Sequence, residues 1–317
     1  MNFEMKKFCL RLGIVLAIVA AGAVGLEIWL RTMPNVYKYK LDYIKEHGDA
    51  VRVLAIGASY VENAISPQAI GDSVYNMALP AQPIDMDYHV LATIIADCPN
   101  LKAVIVCADH HSLYSNPMRQ SVVNSYRGAY YQNYIGIPIY RPWEYYKCLE
   151  VLNRDVAVGK IDHYFTSFVK KSTAPYDCDS LGWRTNIESK NQKADWKTDR
   201  VEAGIAEQEK DYRETNLEGN IGYLVKMAEL CKSNGVGLVV VTLPKSRYFR
   251  EKYPESRIAK MRQATEEGAE RCGYWYRDYY ADERFGDEDF VSADHLSREG
   301  GLKFTSILVS DCPGLGK

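Results

Sequence analysis

The chain has 317 residues, of which 47% are hydrophobic and 25% are charged, with a formal net charge of −2. Acidic and basic residues are interspersed, which excludes the basic stripe of a nucleic-acid-binding protein, so we expect no nucleic-acid partner. The eight cysteines are scattered without a C-x-x-C pair, so most are predicted to be small apolar fillers, with no metal site and no cofactor. No N-x-[ST] sequon occurs, which fits a bacterial source.

The N-terminus carries a basic flank followed by a long apolar run. Lys6, Lys7 and Arg11 precede residues 12–26, which are all apolar, and the apolar character resumes as far as Leu30. At ~1.5 Å per residue, this span approaches the ~30 Å core of a bilayer. We therefore predict that residues 1–31 form a membrane anchor with a cytoplasmic N-terminus and an extracytoplasmic (periplasmic or cell-surface) domain. A signal peptide cleaved at residues 21–23 is the alternative.

The remainder alternates between apolar strands and amphipathic helices. Residues 32–50 are polar and aromatic, and are predicted to be a membrane-proximal linker or a first short helix. Buried strands are predicted at 51–56, 74–77, 103–107, 237–244 and 274–280, and helices at 60–70, 85–97, 216–235, 254–273 and 297–311. All-apolar strands that alternate with helices are typical of a parallel sheet covered on both faces. We predict that residues 51–317 form a three-layer α/β/α domain with about five parallel strands.

Residues 110–215 interrupt this alternation and are unusually aromatic. They contain eleven of the 24 tyrosines and three of the five tryptophans. This length and composition predict an ordered insertion over the carboxyl ends of the strands, where α/β sheets bind ligands. Tyr130, Tyr131 and Trp143 are candidates for stacking on sugar rings, although the aromatic residues could equally pack a small core of the insertion. Residues 184–213 are highly charged and are predicted to be a solvated loop and helix.

Polar residues follow several of the predicted strands. Ser59 ends the small-residue turn after the first strand, at the mouth of a helix where negative charge is favoured. A simple N-cap is the alternative for this serine. Asn76, Ala81 and Gln82 follow the second strand, Asp109, His110 and His111 follow the third, and Asp294 and His295 precede the last helix. A serine at one strand end and a histidine on a late loop are typical of acyl-transfer catalysis.

Three short blocks give the chain a resemblance to the SGNH/GDSL hydrolase superfamily. They read GAS at 57–59, YNMALPAQ at 75–82 and DHLSREGG at 294–301. The resemblance implies an SGNH-like α/β fold, Ser59 as nucleophile and His295 as general base. It also implies an oxyanion held by the backbone N–H groups of Ser59 and Ala81, with Asn76 and His110 as further candidate donors.

Three positions depart from the superfamily pattern. The usual aspartate three residues before the histidine is Ser292, so the imidazole is expected to be oriented by Ser292, by Asp294 through an unusual turn, or by a backbone carbonyl. Adjacent side chains on an extended loop tend to point apart, which makes Asp294 the less obvious partner. The second-block glycine is Ala81, and the third block has Asp109, His110 or His111 in place of asparagine.

The nearer resemblance is to membrane-anchored SGNH proteins associated with bacterial polysaccharide acylation and deacylation. It implies a serine-dependent carbohydrate esterase or O-acyltransferase acting on an extracytoplasmic polysaccharide. The expected partners are an acylated glycan, the membrane and a membrane-bound acyl-transfer protein. The alternative is a catalytically degraded protein that binds glycan or assists polysaccharide assembly, which the departures at Ser292 and Asp109 favour.

Overall fold

A computed structural model describes residues 3–116, 126–170, 177–185, 187–188, 196–197, 199–312 and 314–315. The predicted three-layer α/β fold is confirmed, because five parallel strands pair in the order β2-β1-β3-β4-β5. The strands are β1 (Val53–Ala55), β2 (Val74–Asn76), β3 (Ala103–Cys107), β4 (Gly237–Thr242) and β5 (Trp275–Asp278). The predicted bounds of β3 are reproduced, and the other strands are shorter than their apolar runs.

Thirteen α-helices occur in the part of the chain that the structure describes. They are α1 (Phe3–Thr32), α2 (Val36–His47), α3 (Ser59–Ala64), α4 (Pro67–Ile70), α5 (Ile84–Ile94), α6 (His110–Tyr114), α7 (Arg127–Tyr130), α8 (Arg154–Lys170), α9 (Asp199–Glu209), α10 (Asn216–Ser233), α11 (Arg247–Lys252), α12 (Glu255–Cys272) and α13 (Arg298–Asp311). Short 3-10 turns cover Gly48–Ala50, Ile95–Asp97, Pro142–Cys148, Glu150–Leu152 and Asp287–Asp289, and Tyr131–Ile135 is a π-helical turn.

The side chains of the strands alternate between two hydrophobic cores. Leu54 and Val104 face the core that contains residues of α2, α5, α10 and α12. Ala55 and Ile105 face the opposite core, which contains residues of α3 and α13. Because both faces of the sheet are covered, β1, β2 and β3 bury all of their residues and β4 all but Gly237, which explains their largely apolar sequences, whereas the edge strand β5 is only partly buried.

Segment 32–50, predicted as a linker or a first short helix, contains helix α2. Asn35 caps this helix by accepting a hydrogen bond from Tyr37 N–H. Tyr37, Leu41 and Ile44 are buried in the core below the sheet. The helix is therefore part of the packed domain.

Helix α1 is long and apolar enough to cross a membrane. Its residues before Leu26 are exposed, whereas Leu30 is fully buried against the globular part of the protein. A membrane anchor and a signal sequence both satisfy these criteria of length and composition.

The region 110–215 divides into two described parts. The first, around α7 and α8, packs against α1 and α2. The second contains α9 and reaches the carboxyl edge of the sheet, where Gln208 contacts Asp294. All eight cysteines are free thiols.

Candidate active site

The turn after β1 places Ser59 at the carboxyl edge of the sheet. Gly57 has a φ of +155°, and a Cβ at this position would lie 2.5 Å from Val61 Cγ2, so the turn requires glycine. Ala58 occupies the N-cap position of α3, and Ser59 is the first residue of the helix. The hydroxyl of Ser59 therefore does not cap the helix and is available to another partner.

That partner is His295, which lies 236 residues away in the chain. Ser59 Oγ is 2.9 Å from His295 Nε2, within the range expected for a nucleophile and its general base. The other ring nitrogen, Nδ1, is 2.9 Å from Asp294 Oδ1. Since a carboxylate only accepts, Nδ1 carries the proton in neutral His295, and Nε2 is left to accept from the serine hydroxyl.

A tight reversal of the loop brings the adjacent side chains of Asp294 and His295 together. The N–H groups of Val291 and Ser292 both donate to the carbonyl of His295, at 3.0 and 3.4 Å. Phe290 and Leu296 pair across the base of the loop. The expectation that neighbouring side chains point apart applies to extended backbone, and this loop is bent throughout.

Ser292 occupies the position where the superfamily pattern has an aspartate, and its side chain supports the carboxylate of Asp294. Its hydroxyl donates to Asp294 Oδ1 at 2.9 Å and lies 3.3 Å from His295 Nδ1. Of the three orienting groups left open by the sequence, Asp294 makes the shorter contact with the imidazole. The missing aspartate is thus replaced by one two residues later.

The second oxygen of Asp294 is held by two donors. Tyr60 O–H and Gln208 Nε2–H each donate to Oδ2 at 2.7 Å. Burial raises the pKa of Asp294, but the charge and hydrogen bond of His295, the charge of nearby Lys245 and the hydrogen bond from Tyr60 outweigh it and hold the pKa well below the ordinary value. The carboxylate therefore stays ionised and can stabilise an imidazolium on His295.

Tyr60 connects helix α3, which carries Ser59, to His295. Its ring stacks on His295 with centroids 4.3 Å apart, and Lys245 Nζ lies 3.5 Å from the centre of the Tyr60 ring. Burial and the charges of Asp294 and Asp109 raise its pKa well above the ordinary value, so the phenol remains a donor. Sequence analysis missed Tyr60 although it directly follows the serine, because tyrosine is abundant throughout the chain.

The structure gives His110 a contact other than the predicted oxyanion. Gln208 directs its amide N–H groups to Asp294, so its Oε1 must accept the 2.9 Å hydrogen bond from His110 Nε2–H. Burial lowers the pKa of His110 to about 4, and the ring is neutral at pH 7. The only N–H of the neutral ring is therefore committed to Gln208, which corrects the predicted donor role.

Asp109 and Lys245 form a buried ion pair behind the site. Asp109 accepts a hydrogen bond from Ser112 N–H as the cap of α6, and Lys245 Nζ lies 3.4 Å from its Oδ2. Burial alone would raise the pKa of Asp109, but the charges of Lys245 and the neighbouring histidines lower it by a larger amount. The pKa of Asp109 therefore lies below its ordinary value. Lys245 thus compensates the negative charge of Asp109 behind the site.

The loop after β2 lies against the turn that carries Ser59. Leu79 N–H donates to Gly57 O at 2.9 Å, and Ala81 has a φ of +52°, the one positive value at a non-glycine position among the described residues. The N–H groups of Ser59 and Ala81 make no hydrogen bond within that same part of the chain. They are the donors that an oxyanion could use.

Asn76 plays a structural part in this loop. Its side-chain amide donates to the carbonyls of Val61 and Ile65, and its Oδ1 accepts from Ala78 N–H. The residue is fully buried, and both ends of its amide are engaged. This geometry corrects the prediction that Asn76 donates to an oxyanion.

Lys40, on helix α2, hydrogen-bonds to the same loop. Its ammonium donates to Ala78 O and to Gly182 O, and lies 3.5 Å from Glu62 Oε1. Both Lys40 and Glu62 are almost fully buried. No local sequence signal could have found Lys40, because its acceptors come from distant segments.

A cavity of about 460 Å³ opens beside His295. Its apolar wall consists of Ile187, Trp196, Val201, Ile205 and Phe249, and Arg184 and Arg200 add positive charge. Gln208 also lines it, although it belongs to the charged segment that was predicted to be a solvated loop and helix. The cavity offers an apolar surface and cationic groups within reach of the serine–histidine pair.

The three aromatic residues predicted to bind sugar do not gather at this cavity. Tyr131 is fully buried in the core and donates to Gln82 Oε1 at 2.9 Å, which corrects its predicted role. Tyr130 lines a separate cavity of about 680 Å³, and Trp143 is 70% exposed. Tyr131 thus packs in the main hydrophobic core of the domain, rather than in a separate core of the insertion.

Comparison with known proteins finds low-identity likenesses to solved structures. A protein provisionally described as an acylhydrolase from Bacteroides fragilis NCTC 9343 is 12% identical, with 87% of this chain and 96% of that one covered and a TM-score of 0.42. A GDSL-like lipase from Bacteroides thetaiotaomicron VPI-5482 is 11% identical over 87% and 97%, with a TM-score of 0.41.

A protein provisionally described as platelet activating factor from Streptococcus pneumonia is 12% identical, with coverage of 92% and 98% and a TM-score of 0.42. No protein-family profile matches the chain, and no curated protein matches it significantly. Similarity this low does not carry a function to this chain, so a functional assignment has to come from its own site geometry.

Proposed function

We propose that this protein is a serine-dependent acylhydrolase that cleaves carboxylic esters. The observation that carries the proposal is the hydrogen-bonded chain from Ser59 through His295 to Asp294. A nucleophile bonded to a base, itself oriented by a third group, is the arrangement that activates a weak serine nucleophile. The free N–H groups of Ser59 and Ala81 supply the second requirement of ester cleavage, donors for a developing negative charge.

In the proposed reaction, Ser59 Oγ attacks the acyl carbonyl while His295 Nε2 accepts the hydroxyl proton. The resulting oxyanion accepts hydrogen bonds from the N–H groups of Ser59 and Ala81, and Asp294 stabilises the imidazolium. When the tetrahedral intermediate collapses, His295 returns the proton to the departing alcohol oxygen and an acyl-serine remains. Attack by water, with the same proton transfers, releases the carboxylic acid and restores Ser59.

We further propose that the ester belongs to an acylated polysaccharide outside the cytoplasm. The cavity beside His295 supports this proposal because the indole of Trp196 is part of its lining, and the apolar wall suits a short acyl group. Helix α1 would hold the domain at the membrane. If a glycan hydroxyl rather than water attacks the acyl-serine, the same intermediate performs O-acyl transfer, with a membrane-bound acyl-transfer protein as the acyl donor.

Labelling with a fluorophosphonate probe tests the catalytic proposal without knowledge of the substrate. An activated Ser59 should react covalently, whereas Ser59→Ala and His295→Ala should each lose most labelling and ester turnover. The Ser59→Ala/His295→Ala variant should be scarcely worse than either single variant, because the groups act as a unit. An unlabelled wild-type protein that still binds acylated glycan would favour the alternative of a binding protein without turnover.

The location of the domain has its own test. Protease is added to cells whose outer envelope has been opened and whose inner membrane is intact. It should digest the domain and spare residues inside the cytoplasm. Protection of the domain by an intact inner membrane, or release of the protein by high salt, would contradict the anchored and exported arrangement.

A further inference from the structure

The C-terminal end of helix α1 is hydrogen-bonded to segment 148–151 of the insertion. Glu27 accepts from Val151 N–H at 2.9 Å and from Arg31 Nε–H at 2.6 Å. Arg31 in turn donates to Cys148 O at 3.1 Å. These contacts explain why an acidic residue interrupts the apolar helix, since its carboxylate has two donors at the edge of the apolar run.

Helix α8 is fastened to the same end of α1. Lys160 Nζ donates to Leu30 O at 3.1 Å and to Glu150 Oε2 at 2.6 Å. Leu30 packs with Met33 and Ala157 in a small core of its own. The segment 148–151 and helix α8 therefore lie at the same level as residues 27–33, where α1 leaves its exposed apolar stretch.

Large apolar side chains are exposed along this part of the insertion. Trp143 is 70% exposed, Leu152 65% and Phe165 57%. Four others with substantial exposure are Tyr145, Tyr146, Val158 and Tyr164. Tyr164 also meets Trp29 of α1 edge to face, with ring centroids 5.6 Å apart. Such a concentration of exposed aromatic and aliphatic groups marks an interaction surface, and Trp and Tyr are the residues enriched at the boundary between membrane and water.

We propose that residues 141–165, the interfacial platform, lie in the headgroup region of the membrane that α1 spans. The inference rests on α1 being retained as the anchor, because its hydrogen bonds to Cys148, Val151 and Lys160 fix the level of the platform. Four basic and four acidic residues lie in the platform: Arg141, Lys147, Arg154, Lys160, Glu144, Glu150, Asp155 and Asp162. This charge balance means that burial of apolar groups holds the platform to lipid, so a zwitterionic bilayer suffices.

Site-directed fluorescence quenching in vesicles tests the proposal. The full chain, with the more accessible Cys9, Cys272 and Cys312 changed to serine, is reconstituted in phosphatidylcholine vesicles. A single cysteine is then introduced at one exposed position and labelled with an environment-sensitive fluorophore. Exposed positions are chosen because substitutions there seldom disturb folding, and each variant is checked against the parent by thermal unfolding.

Three platform variants are compared with two controls. Trp143→Cys, Leu152→Cys and Phe165→Cys should each be quenched at least threefold more strongly by lipids with a shallow nitroxide than Glu267→Cys, on an exposed position of α12. Val19→Cys, in the middle of α1, should respond to a deep nitroxide. Platform labels that behave like Glu267→Cys while Val19→Cys is quenched would overturn the platform and leave the anchor standing.

Two further outcomes complete the test. Absence of quenching at Val19→Cys would overturn the anchor and the platform with it, while fluorophosphonate labelling of Ser59 would still report on the proposed chemistry. Quenching of the platform that appears only with anionic lipid and disappears in high salt would also contradict the proposal, since it would show that charge rather than apolar burial drives the contact.

Discussion

Replacing Asp294 by asparagine isolates the contribution of the carboxylate to the proposed reaction. The substitution keeps the size of the side chain and removes its charge. Gln208 and Tyr60 both donate to Oδ2, so the carbonyl of an asparagine would turn towards them and its NH₂ towards His295 Nδ1. The imidazole would then hold its proton on Nε2 and could not accept one from Ser59.

The magnitude follows from the distance between the two groups. Asp294 Oδ1 lies 2.9 Å from His295 Nδ1, and at an effective dielectric constant of about 20 a carboxylate and an imidazolium at that separation attract by about 6 kcal/mol. At 1.36 kcal/mol for each tenfold change in rate, this corresponds to a loss of about 10⁴ in kcat/KM. The measurement is the rate of p-nitrophenyl ester hydrolysis together with the rate of fluorophosphonate labelling. A loss smaller than tenfold in both would refute the assignment of Asp294 as the orienting group.

Ser292 provides the matched control. Ser292→Ala removes a hydroxyl that supports Asp294 and leaves the carboxylate in place, so we expect a loss of less than tenfold. The superfamily pattern, which has an aspartate where this chain has Ser292, predicts that Ser292→Asp raises activity by supplying a carboxylate. The structure reverses this expectation, because the Ser292 hydroxyl is 2.9 Å from Asp294 Oδ1 and a second carboxylate there would repel the first.

Three further predictions concern the fold and its loops. Burial lowers the pKa of His110 from 6.5 to about 4, so between these pH values the unfolded state binds more protons than the folded state. Acidification through this range should therefore lower the free energy of unfolding by about 3 kcal/mol. Urea titrations should show that His110→Gln abolishes this dependence. Gly57→Ala should destabilise the protein by about 1–3 kcal/mol, because the added Cβ would contact Val61 Cγ2. Gly71 has a similar φ of +152° but open space around its Cβ, so Gly71→Ala should lower the free energy of unfolding by less in the same urea titrations. Equal losses would mean that backbone strain alone is responsible. Ala81→Gly should keep ester turnover, because glycine retains the backbone N–H at position 81. It should change the free energy of unfolding by about 1 kcal/mol or less, because glycine relieves the φ of +52°. A large loss of turnover would contradict the use of that N–H.

The strand pattern was readable from the sequence because the sheet is parallel and covered on both faces. The buried residues of the central strands then need mostly apolar side chains, and the run 103–107 has the same bounds in sequence and structure. Ser59 and His295 were recognisable because short motifs mark the two loops that bring them to one edge of the sheet. The spacing between them, 236 residues, does not matter once the order of the strands is known.

Other parts of the site depended on contacts between segments that carry no such pattern. Gln208 lies in a charged segment, and only the packing of α9 over the carboxyl edge brings its amide to Asp294. Lys40 lies in a segment that could equally have been a linker, and its role comes from carbonyls contributed by Ala78 and Gly182. Polar groups of this kind acquire a partner only when the chain is folded, because burial forces each of them to find one.

The sequence by itself therefore determined the layers of the fold, the apolar N-terminal helix and the two residues proposed to exchange a proton. The physical reason is that periodicity, apolar length and short turns are local properties of a chain. Only the tertiary structure decided that Asp294 orients the histidine, that Asn76, His110 and Tyr131 are engaged elsewhere, and that the insertion meets the end of α1. Those outcomes depend on a reversed loop and on hydrogen bonds between residues from 11 to 130 positions apart, which no local pattern encodes.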